Sequence, residues 1–294
     1  ADLYRRQGDT KNMIRCYLIS VEKEANSFNT QTSLQRFLSE DDYTELQKQL
    51  YQKIQEKPDI PHFGELLQWT FIQKKEYDKA LRQAKALDRQ FEENGARVYT
   101  LAELIYNDKD YNNAIDAYSY IVTNQGRNTS FYLDAKRGLL NSKKAKVTQN
   151  FNYTKEDLFA LKAEYKSFLD EMGRNTQTAP LMQEFADFEA LYVNELDTAI
   201  MILEELRQFG GLHPESIAKA KLSLGDYYLM NGDRWEASLL FSQVDKDFKE
   251  GQTGENARYR NAKLSYYAGD FEWAQEQFKI LKGATSKLIS NDAI

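Results

Sequence analysis

Small residues recur in pairs twelve positions apart with a turn between them, and no other feature of the sequence restricts its folds so sharply. Ala102 and Ala114 bracket "DKDYN" (108–112), Gly225 and Ala237 bracket "NGDRW" (231–235), and Ala262 and Ala274 bracket "AGDFE" (268–272). Four residues after the second small residue comes a large one: Tyr118, Phe241 and Phe278. Two antiparallel helices give this pattern when their backbones approach too closely for bulky side chains at one level and a ring fills the gap one turn on. Gly232 and Gly269 fall where the first helix ends and a positive φ is tolerated.

The residue that follows each turn in this register can be placed at Met13, Leu46, Ala80, Ala114, Ala199, Ala237 and Ala274, with separations of 33, 34, 34, 85, 38 and 37. The gap of 85 holds two units. The hidden one is "SFYLDAKRGLLNSKKAK" followed by "YTKEDLFALKAEYKSFLDEM", where Thr154 and Asp157 are spaced as a capping box. The units run 1–26 (partial), 27–60, 61–95, 96–129, 130–175 (divergent), 176–213, 214–252 and 253–284, and 285–294 begins a further truncated helix. Alternation of period two is absent, so the chain reads as all-α with about fifteen helices. Gln68 and Leu34 break the pattern by occupying small-residue sites, and Ala186 stands thirteen rather than twelve residues before Ala199.

Leu224, Gly225, Tyr228, Gly232, Ala237 and Phe241 match the tetratricopeptide repeat (TPR) signature at its spacing, and Pro58 falls at the proline that closes a repeat. The chain therefore resembles TPR proteins over nearly its whole length. The resemblance implies one right-handed superhelical solenoid over 1–294, a non-catalytic scaffold that holds a segment of another protein in a concave groove lined by the first helix of each unit. Mapped by register, that groove carries Tyr99, Glu103, Tyr106 and Asn107, then Asp226, Leu229 and Met230, then Lys263, Tyr266 and Tyr267. Asn107 and Lys263 occupy positions used by carboxylate-clamp TPR domains, but in distant repeats, so the clamp is incomplete. "GDFEWAQEQFKILKGATSKLISNDA" also resembles exported TPR proteins of Bacteroidetes, which implies a cell-envelope or periplasmic location; a cytoplasmic one stays open. The early first turn and the amphipathic start at 285–294 imply further chain on both sides.

Composition narrows the chemistry. With 41% hydrophobic and 29% charged residues and 4 prolines, the chain has the material for an ordered core. No apolar run approaches the roughly 18 residues of a membrane span. One cysteine, Cys16, and two histidines exclude an internal disulfide and a Cys/His zinc cluster. A net charge of −6 argues against nucleic acid as a partner and favours a basic or neutral protein segment. Neither G-x-S-x-G, H-E-x-x-H, C-x-x-C nor a P-loop occurs, so no catalytic, cofactor or metal residue is assigned and no enzyme activity is expected. Cys16 reads as a buried, inert thiol, and His62 and His213 as junction residues beside Pro61 and Pro214. "EE" at 92–93 and 204–205, "EDD" at 40–42 and "KKAK" at 143–146 read as solvated faces or helix ends, and "NTS" (128–130) and "NYT" (152–154) as chance glycosylation triplets. Stacked aromatics also suit sugar faces, so an envelope accessory that binds a glycan is the alternative function; a helical-toroid enzyme has the least support.

Overall fold

The computed structural model describes residues 1–23, 27–149, 153–283 and 287–292, and every regular element among them is helical. The chain forms two compact units, Ala1–Gln149 and Asn150–Ile294, divided within the stretch 130–175 where the repeat is most divergent. In the first unit α1 (Asp2–Arg6) packs on α2 (Thr10–Val21), α5 (Pro61–Gln73) on α6 (Tyr77–Gln90), and α7 (Ala96–Asn107) on α8 (Tyr111–Tyr120). α9 (Tyr132–Thr148) covers α8. Between the first two pairs lie α3 (Phe28–Phe37) and α4 (Asp42–Glu56); with buried Leu34 where a small residue would stand, α4 packs chiefly on α2 and α5. The second unit opens with α10 (Lys155–Met172), started by the Thr154–Asp157 capping box. Its pairs are α11 (Ala179–Phe188) with α12 (Leu196–Leu206), α13 (Pro214–Asn231) with α14 (Arg234–Asp247), and α15 (Gln252–Tyr267) with α16 (Phe271–Leu281).

The described residues hold 17 α-helices against the fifteen or so predicted; five-residue α1 and six-residue α17 (Lys287–Asp292) make up the difference. α17 occupies part of the truncated helix expected over 285–294, of which residues 285–286 and 293–294 lie outside the described residues. Asn152 of the second glycosylation triplet also lies outside them, and Asn128 of the first ends a short 3₁₀ turn, Gly126–Asn128. No described helix is long and apolar enough to cross a membrane.

One turn geometry closes six helix pairs. Five residues before the register position the backbone adopts a positive φ: Gly8 (71°), Lys75 (55°), Lys109 (65°), Asn194 (63°), Gly232 (95°) and Gly269 (88°). The next residue is always acidic and caps the second helix: Asp9, Glu76, Asp110, Glu195, Asp233 and Asp270. In five of the six its N–H donates to the carbonyl five residues back, on Tyr4 (3.0 Å), Phe71 (2.9 Å), Ile105 (3.2 Å), Tyr228 (2.8 Å) and Ser265 (2.9 Å). That bond satisfies a carbonyl left open by the helix end, while the carboxylates of Asp9, Asp110 and Asp270 accept the N–H three residues on. The sixth turn is longer: Glu195 N–H reaches Glu189, six residues back, at 2.9 Å, because Glu189–Val193 is wound as a π-helix. The wider winding absorbs the extra residue that sets Ala186 thirteen before Ala199.

The small residues stand at helix crossings. Ala102, Ala114, Ala237 and Ala262 are fully buried. A Cβ on Gly225 would lie 2.4 Å from Phe241 Cε1, so only glycine admits that ring. Several hydrogen bonds between elements then fall one repeat apart: Gln90 to the Pro58 carbonyl (2.8 Å), Arg97 to Glu65 (3.0 Å), Tyr120 to Asp88 (2.9 Å) and Thr129 to the Asn94 carbonyl (2.8 Å). Cys16 departs from expectation. It is half-buried rather than buried, because α2 turns Met13, Ile14 and Leu18 into the core instead.

Candidate partner-binding surface

On α7, Val98, Leu101, Ala102 and Ile105 enter the core, which leaves Tyr99, Glu103, Tyr106 and Asn107 on the other side of the helix. These four meet Asp134, Arg137, Gly138 and Asn141 of α9 around a cavity of about 180 Å³, with the buried Tyr118 ring beneath. Gly138 makes this possible, since a Cβ there would lie 2.5 Å from Tyr118 Cζ. The walls are firm. Tyr99 stacks on Phe131 (5.2 Å between centroids) and meets Tyr118 edge-on (6.0 Å), and Tyr106 leans on Tyr111 (5.7 Å). Both tyrosines are half-buried against the core, so they pack between elements as well as line the cavity. Burial, then the charge and hydrogen bond of Glu103, push the Tyr99 hydroxyl up to about 12, which keeps it a donor to that carboxylate at neutral pH. Glu103, Asn107 and Asp134 are exposed, giving a rim of acceptors and donors around an aromatic wall.

The second unit arranges its candidates differently. Asp226 of α13 accepts Arg260 Nε through both oxygens at 3.1 Å. Burial nevertheless raises the Asp226 carboxyl above its ordinary value, opposed by Arg260 and reinforced by the charge of Asp187. Lys263 lies over the Tyr259 ring at 5.5 Å. Tyr266 meets Tyr267 (5.5 Å) and Phe271 (5.4 Å) edge-on, the latter pair matching Tyr106 and Tyr111 in register. Met230, Tyr266 and Tyr267 are exposed, whereas Leu229 packs on the α13–α14 core and offers little free surface. A 620 Å³ cavity joins Tyr266 to Phe271 and Phe278 but includes neither Asp226, Met230 nor Lys263. Four of the ten candidates thus share one cavity in the first unit, and the six in the second do not.

Some participants escaped the register argument. Arg137, Asp134 and Asn141 lie in the divergent unit, although Gly138 carried the small-residue signal that locates them. Asp187, bonded by the Tyr227 hydroxyl at 2.5 Å, follows Ala186 just as Asp226 follows Gly225. Glu93, in the turn between α6 and α7, binds Arg97 at 2.6 Å. His62 Nδ1 lies 3.0 Å from Glu65, and His213 Nδ1 accepts the Glu215 N–H at 3.3 Å at the start of α13. Among the described residues no three His, Cys, Asp or Glu side chains are grouped to hold a metal ion.

Paired antiparallel helices, repeated acid-capped turns and small residues at the crossings define a TPR-like helical repeat protein. No protein-family model matches the chain, and no curated protein matches it. Among solved structures it is similar to a tetratricopeptide repeat protein from Parabacteroides merdae, at 14% identity over 94% of this chain and 97% of that one, with a TM-score of 0.48. It is also similar to nearly identical TPR-like repeats of a putative kinesin light chain from Podosopora anserina, at 18% identity over 62% of this chain and 90% of that one, again with a TM-score of 0.48.

Proposed function

We propose that this protein is an interaction scaffold that holds a segment of a partner protein across the α7–α9 surface. The observation that carries the reading is the meeting of Tyr99, Glu103, Tyr106 and Asn107, selected by repeat register alone, with α9 side chains around one cavity. Rigid aromatic walls supply contact area at low entropy cost, and the exposed Glu103 and Asn107 supply adaptable hydrogen bonds. Both side chains are exposed, so changing them perturbs the surface and spares the core. A partner recovered by affinity capture, identified and then titrated as purified protein should bind at least tenfold more weakly to the Glu103→Lys/Asn107→Ala variant, with its circular dichroism unchanged. Undiminished affinity would show that this surface is not the docking site. A glycan array that yields a ligand held equally by both proteins would favour the sugar-binding alternative.

A further inference from the structure

We draw no further inference here: the strongest candidate, the cavity of about 620 Å³ lined by Tyr266, Phe271 and Phe278 on α15 and α16, is an unpartnered apolar face edged by charges of both signs, Glu272, Lys279, Lys282 and Asp292, and nothing in the structure shows what covers it.

Discussion

Glu189 is fully buried at the start of the π-helical turn, with one carboxylate oxygen 2.9 Å from Lys162 Nζ and the other without a partner among the described residues. Burial raises its pKa above the ordinary 4.5, Lys162 pulls it down by less, and Glu195 adds to the rise. A carboxyl whose folded value is raised binds its proton more tightly in the folded state, so stability falls as pH climbs from the unfolded value through the folded one. Glu189→Gln removes that dependence and leaves Lys162, one quarter exposed, to solvent. The stability of the variant relative to wild type should rise between pH 4 and pH 8 in urea denaturation. A difference independent of pH would refute the buried-charge account. Individual residues were legible where one helix decides their placement, as for Glu103 and Asn107. Arg260 and Lys162 were not, because their roles depend on which side chain a neighbouring helix presents.

At the level of elements, the turn is the most informative unit. Glycine stands at the left-handed position in three of the six turns, and Lys75, Lys109 and Asn194 hold the same conformation without that freedom. A side chain there costs about 1–2 kcal/mol, and glycine returns about 0.4–1 kcal/mol of that in unfolded-chain entropy. Lys109→Gly should therefore stabilise the protein by about 0.5–1 kcal/mol, and Gly232→Ala should destabilise it by a similar amount, both read from chemical denaturation midpoints. A loss on Lys109→Gly would mean that its side chain makes a contact worth more than the strain. Helix pairs were readable from the sequence because turn, cap and crossing each leave a residue-type signature at fixed spacing. The π-helix was visible only as a one-residue slip before Ala199, and the α3–α4 region only as a bulky Leu34; neither slip nor bulk says how the backbone responds.

Across the whole molecule, interactions between elements reach about one repeat along the chain, as in the pairs Glu65–Arg97, Asp88–Tyr120 and Asp226–Arg260. Stability in such a chain is handed from neighbour to neighbour, without a central nucleus that every element touches. A cavity should then be felt locally. Phe241 is fully buried against Gly225, and Phe241→Ala should cost about 3–5 kcal/mol within its own stack. Hydrogen exchange followed by mass spectrometry should show faster exchange in α13, α14 and α15 and unchanged protection in α5 to α8. Uniform loss of protection across both units would instead require one cooperative core, and the repeat description of the energetics would fail even with the helix pairs in place.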